Sequence, residues 1–422
     1  MALGLAALPA TAFAQDGAID VADSGDTAWM LTATALVLLA AVPGVALFNG
    51  GRIGARNFLS LVLQMAAIMA AVSLAWIIAG YTVAFGDVTS GWLGSGNAWM
   101  LITLGNVRGE SYVPESAFAL HQIVVAGFAA TLMCAAWAGR ARFGWAVLFA
   151  TLWSVVVYAP VAHWLQGGGW LAASVGAIDF GGGISLAVCA GVSGLVAAML
   201  VGKRHGFPGE VEPGFSPSVT LLGAGLAWVG WFGLGGGAAL AANDDAASAL
   251  INMHAAACAG GLGWLALDRF RQGKPSAVGF GSGVIAGLVA ILAGALYISP
   301  GAAMLTGLSG AIVARGVRAL LRRHTAIDDA LDLFALFAAS GMTGALLLGP
   351  FLSDGLGGIG YDEGMNVVAQ TFAQTLGIVV VAVWSMLVSA VLAIMASLLV
   401  PMRVSEDAEA QGLDVSSHGE HA

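Results

Sequence analysis

The sequence predicts an all-α polytopic membrane protein with eleven transmembrane helices, arranged as two inverted five-helix repeats and one further span. Three observations lead there. Of 422 residues, 59% are hydrophobic and 9% charged, whereas about 25% of residues are charged in a soluble protein. Apolar runs of roughly 20 residues, the length that crosses a bilayer core, recur from Thr27 to Val400. Basic residues then collect in every second joint between those runs, as they do on the cytoplasmic side of a membrane.

Taken in order, apolar runs and their turn and charge punctuation place spans at 28–50, 58–82, 117–138, 143–164, 184–202, 217–236, 247–268, 278–297, 301–321, 333–352 and 366–400. Arg52 and Arg56 follow span one, Arg140 and Arg142 span three, and Lys203 and Arg204 span five. Arg269, Arg271 and Lys274 follow span seven, Arg315, Arg318, Arg322 and Arg323 close span nine, and Arg403 follows span eleven. Of the 15 Lys and Arg residues, Arg108 alone falls on the other side. The expected N-terminus is therefore outside and the C-terminus inside. Five spans per half is an odd number, so a second copy enters the membrane upside down. AIDFGGGISL in one half and AIDDALDLFAL in the other echo each other faintly.

Residues 1–14 read as the apolar part and cleavage region of a secretory signal peptide, with Ala12-Phe13-Ala14 just before Gln15. A membrane domain follows over 27–402, with repeats near 28–202 and 217–352 and a last span at 366–400; residues 403–422 form a tail. Net charge is −9, carried mainly by outer loops and tail, and no basic patch calls for nucleic acid. Cys134, Cys189 and Cys258 all lie inside apolar runs, so they read as small packing residues rather than disulfides. No spacing suggests a metal site, a nucleophile triad or a phosphate loop, so neither cofactor nor enzyme activity is expected.

Among ionisable residues, Asp179 leads three glycines into span five. A carboxylate there can cap the helix by accepting from N–H groups around Gly181 to Gly183, facing the positive end of the dipole; the other reading is a direct electrostatic contribution to cation binding. His121 lies within span three, where an ionisable side chain marks a functional site by default; the other reading is a histidine bonded to a nearby carbonyl. His163 and His254 read as structural, and His205 and His324 as solvated.

Several joints together resemble the ammonium transporter (Amt/Mep/Rh) family: PGVALFNGG with GARNFLS, GYTVAFGD, GRARF, APVAHW, GGGWLAASVGAIDFGGG, GLVAAMLVGKRHGF, GWFG, LINMHAAA, GKPSAVGFGSGVIAGLVAI and the tail GLDVSSHGE. The resemblance implies a homotrimer with one pore per subunit in a bacterial cytoplasmic membrane. It implies passage of ammonium, ammonia or a related small amine, and a PII-type signalling protein docking at the cytoplasmic loops and tail. By the same resemblance Asp179 matches the family's invariant acid. At the substrate site Trp231 is kept, Gln166 stands where the family has tryptophan, and Ala238 where it has a hydroxyl. The phenylalanine gate falls at Val125 and Leu234, and the twin histidines at Ala187 and Phe337. His121 occupies a position that is usually aromatic, and joins Gln166 and Trp231 as a new polar set.

The chain thus resembles a divergent member without the usual twin histidines and phenylalanine gate. A transporter or channel for ammonium or a small amine is the leading expectation. The alternatives are a non-conducting sensor or binding protein that signals through its tail, and a transporter of a different small solute, amine or neutral, through the altered pore.

Overall fold

The computed structural model describes residues 21–89, 91–96, 99–109, 111–209 and 211–421; the expected signal peptide lies outside them. Among the described residues, eleven helices are long and apolar enough to span a membrane. They are α1 Ser24–Gly50, α2 Ala55–Phe85, α3 Glu115–Trp137, α4 Phe143–Ala173, α5 Gly183–Val201, α6 Pro217–Gly237, α7 Asp244–Arg271, α8 Ala277–Gly294, α9 Pro300–His324, α10 Phe334–Phe351 and α11 Val367–Leu399. Each corresponds to one expected span, with ends moved by a few residues except in α4, which runs nine residues past its expected end at 164. A two-stranded hairpin, β1 Asp87–Thr89 and β2 Leu93–Ser95, follows α2, with Asp87 opposite Ser95.

Small residues decide how the repeats meet. α1 and α6, the first helices of the two halves, cross with their backbones touching: a side chain at Gly230 would meet Ala40, and one at Gly44 would meet the Ala227 backbone. α5 and α10, the last helices of each half, meet the same way, Gly191 against Ala338 and Gly341 against Gly183 and Ala187. In lipid there is no apolar transfer to gain between helices, so such close approach is what holds them.

Both α5 and α10 open on a π-helical turn, Gly183–Val188 and Phe334–Ala339. The faint echo between the halves aligns Asp179 with Asp328, but the structure pairs Asp179 with Asp329. Asp179 bonds the N–H groups five and six residues on, at Ile184 and Ser185. Asp329 bonds the N–H five residues on, at Phe334, at 2.8 Å. Asp328 instead receives the Arg204 backbone N–H and guanidinium at 2.7–2.9 Å, while the Arg140 guanidinium donates to its carbonyl at 2.6 Å. Asp332 gathers Arg52 at 2.5 Å, Arg318 at 3.0 Å and Arg322 at 3.0 Å. These groups line a cleft of about 400 Å³ on the arginine-rich face.

The tail is docked on that face. Asp414 accepts from the Leu59 and Ser60 N–H groups at 3.1 and 2.7 Å, and Leu413 N–H donates to Asn57 at 2.9 Å. Glu409 pairs with Arg403 at 2.7 Å and accepts from the His205 N–H at 2.8 Å. His205, expected to be solvated, thus meets the tail through its backbone.

Burial, and next the charge of Asp332, push the Asp329 carboxyl up to about 7. Burial also pushes Asp332 up, but Arg318, Arg322 and Arg52 outweigh it and hold that group below the usual carboxylate range. Because Asp329 binds its proton more tightly folded than unfolded, its favourable contribution is complete below about pH 4 and is lost as pH rises to about 7. Asp329→Asn keeps an acceptor for Phe334 and should flatten the pH 4–7 decline in stability by up to about 1.4 kcal/mol per pH unit, as read by thermal unfolding in detergent. An unchanged slope would contradict this assignment.

Candidate functional site

On the face opposite the arginines, α3, α4, α6 and the segment leading into α5 enclose a cavity of about 350 Å³. It brings together His121, Val125, Gln166, Asp179, Leu234 and Ala238, with Phe85, Phe118, Tyr158, Phe180 and Tyr297 completing the walls. Six residues singled out in the sequence therefore converge on one space, though they come from four stretches of chain.

Asp179 sits at the cavity's inner edge with both oxygens engaged, one on the Ile184 N–H at 2.8 Å and one on the Ser185 N–H at 2.7 Å. The bonds begin at Gly183, the end of the expected Gly181–Gly183 stretch, and run on to Ile184 and Ser185. Gly182 takes a left-handed conformation, φ 91°, and the wide π-turn that follows aims the next N–H groups back at the acid. Burial pushes this carboxyl up while the hydrogen bonds from Ser185, Ile184 and Gly183 pull it down, with a net upward shift. Gln166 leans on the same segment, its amide nitrogen donating to the Asp179 carbonyl at 3.2 Å. Its amide oxygen is then the group left to act as an acceptor.

His121 is all but buried, 2% exposed, and its protonation pattern follows from its neighbour. The Thr34 hydroxyl donates its single hydrogen to the Met30 carbonyl at 2.7 Å. Toward His121 Nδ1, 3.2 Å away, that oxygen can only accept, so Nδ1 carries the ring hydrogen. Nε2 keeps a lone pair and has no protein hydrogen bond among the described residues. The ring packs flat on Gly237, where a side chain would meet its Cε1 at 2.7 Å. Thr34, 87 positions away in sequence, had no signal in the sequence to mark it.

Trp231, Ala187 and Phe337 do not line this cavity. Trp231 is fully buried behind it, edge-to-face with Phe128 at 5.1 Å and against Phe337 at 6.3 Å. Ala187 is buried where α5 meets Gly341 of α10. The three rings Phe128, Trp231 and Phe337 fill the bundle centre between the two clefts. Among the described residues, none of these three rings can relay a proton near neutral pH.

This architecture can be set beside known proteins. The family model described as Ammonium Transporter Family matches residues 28–422. The chain belongs to the ammonium transporter family. It is 38% identical to an ammonium transporter of Aquifex aeolicus over 402 residues, 95% of this chain and 93% of that protein. It is 36% identical to one of Bacillus subtilis, across 94% of this chain and 98% of the other. Among solved structures, Mep2 of Candida albicans superposes with a TM-score of 0.80 at 31% identity, covering 92% of this chain and 87% of that one. A structure described as "Sensor Amt Protein" reaches a TM-score of 0.87 at 24% identity over 93% of this chain and 98% of its own, a likeness of fold alone. Members of the ammonium transporter family are transporters and not enzymes.

Asp179→Ala would leave two buried N–H groups without partners, at about 1–3 kcal/mol each. The variant should lose most of its folded yield, and Asp179→Asn, which keeps one acceptor, should lose less. Size-exclusion profiles and melting temperatures in detergent would read the difference. Equal behaviour of Asp179→Ala and the unaltered chain would remove the capping role.

Proposed function

We propose that this ammonium transporter family member works as a homotrimer with one pore per subunit in a bacterial cytoplasmic membrane, taking up ammonium, ammonia or a related small amine. The arginine-rich face then lies in the cytoplasm, in keeping with the bias of basic residues to that side, and the 350 Å³ cavity faces outward. What carries the reading is the convergence of His121 Nε2 and the Gln166 amide oxygen, two acceptors suited to N–H donors, on a cavity with aromatic walls.

Beyond Val125 and Leu234 the path meets the Trp231–Phe337 contact. An unassisted charge at the membrane centre costs at least about 2.5 kcal/mol on insertion scales. The species that crosses this layer is therefore the neutral one, with its proton left on the outer side. With ammonium applied to proteoliposomes, the unaltered chain should pass ammonia as a rise in luminal pH and give no more than a brief binding transient on a solid-supported membrane. Ala187→His/Phe337→His should give larger currents, since two imidazoles can pass a proton. If the unaltered, folded chain gave no ammonium- or amine-dependent flux or current at all, transport would be ruled out.

A second reading, a non-conducting sensor that signals through its tail, draws support from one chain of contacts. Tail residue Glu409 holds the His205 N–H, Arg204 beside it clamps Asp328, and the next residue, Asp329, caps α10. A PII-type protein docked on the tail would thereby reach the helix that carries Phe337. Deleting residues 404–422 should abolish capture of a PII-type protein in a pull-down. Full capture by the truncated chain, together with robust ammonium flux, would dismiss this reading.

A further inference from the structure

The cavity offers more room, and more apolar wall, than an ammonium ion needs. A liquid water molecule, about the size of an ammonium ion, occupies about 30 Å³, and the space measures about 350 Å³. Most of the remaining volume is walled by Val125, Leu165, Leu186 and Leu234, with the Phe118 and Phe180 rings. Water there would lie against hydrocarbon on most sides, and an organic body would displace it favourably.

Against this apolar lining stand the two acceptors already described. His121 is held as an acceptor because Thr34, its own hydrogen committed to Met30, takes the Nδ1 hydrogen. Gln166 is held as one because its amide nitrogen bonds the Asp179 carbonyl. The nearest fixed charges are matched or engaged. Arg108 sits over the Phe118 ring at 4.7 Å and pairs with Glu115 at 3.4 Å, which also bonds the Tyr81 hydroxyl; Asp179 is spent on backbone N–H groups. Among the described residues of the lining, no free cation repels a positive ligand.

We propose that the cavity is a binding site for protonated primary alkylamines with a short hydrocarbon chain. The ammonium head donates to His121 Nε2 and the Gln166 amide oxygen, and the chain lies along Val125, Leu186 and Leu234. Thr34 is a positioning residue: it touches no ligand and acts by fixing the His121 tautomer. This rests on the reading that amines enter from this face, but it names a ligand larger than that reading requires.

Calorimetry on the full-length detergent-solubilised protein tests it. n-Butylammonium should bind at least about tenfold more tightly than tetramethylammonium, which has no N–H to donate, and than 1-butanol, which has no charge. Thr34→Val should weaken butylammonium by about five- to tenfold, while Thr34→Ser, which keeps the hydroxyl, should bind as the unaltered chain does. Nitrogen-15 spectra of labelled histidine should show His121 protonated on Nδ1 in the unaltered and Thr34→Ser proteins, and redistributed toward Nε2 in Thr34→Val. If Thr34→Val does not fold, the ligand series and the unaltered protein's tautomer decide alone. Butylammonium binding no tighter than tetramethylammonium, or a ring protonated on Nε2 in the unaltered protein, would overturn the inference. An ammonium-driven rise in luminal pH without butylammonium binding would sink this inference and leave the proposed transport standing.

Discussion

Backbone N–H groups at the starts of α5 and α10 lie inside the protein, where no water can reach them, and in a membrane every such group must find a partner within the chain. Asp179 and Asp329 are those partners. Each carboxylate reaches forward five residues to a π-helical turn, and each turn sets the rotation of the helix that follows. The close backbone crossing of α5 and α10 at Gly191, Ala338 and Gly341 depends on that rotation, as does the placing of Phe337 against Trp231. An acid in front of glycines is thus first a device for ending a loop inside a bundle. Its influence on the cavity comes through the segment it holds, which also anchors Gln166.

The centre of the bundle shows what happens when proton-exchanging side chains are absent from a transporter scaffold. Alanine at 187 and phenylalanine at 337 leave a lumen filled by aromatic packing, with Trp231 drawn into it and away from the cavity. Packing of this kind stabilises the bundle and raises the barrier to a charged species. Polar chemistry has shifted outward by comparison: the residues able to meet an N–H donor are His121 and Gln166, ahead of Val125 and Leu234 rather than beyond them. The arginine-rich face carries the opposite arrangement, a dense set of ion pairs that joins tail, loop and α10 in one connected structure.

Much of this was legible in the residues. The hydropathy runs gave every span to within a few positions, the end of α4 excepted, because crossing a bilayer is a demand on local composition. The role of Asp179 was legible in kind, since an acid before a glycine-initiated helix has few other uses, but its bonds run past Gly183 to Ile184 and Ser185 because Gly182 and the π-turn displace the first turn. Matching Asp179 to Asp328 by the shared AID was off by one position. Two adjacent acids look alike in a string, and only packing against Arg204 and Arg140 on one side and α10 on the other separates them.

Composition and order alone settle that this is an eleven-span helical membrane protein and which loops are basic, because each is a property of a residue or a short run. The tertiary structure alone decides that Thr34 sets the tautomer of His121, that Trp231 leaves the cavity for the core, and that the tail is tied to α10. Those facts depend on contacts between residues tens to hundreds of positions apart, and such contacts exist only once the helices have packed.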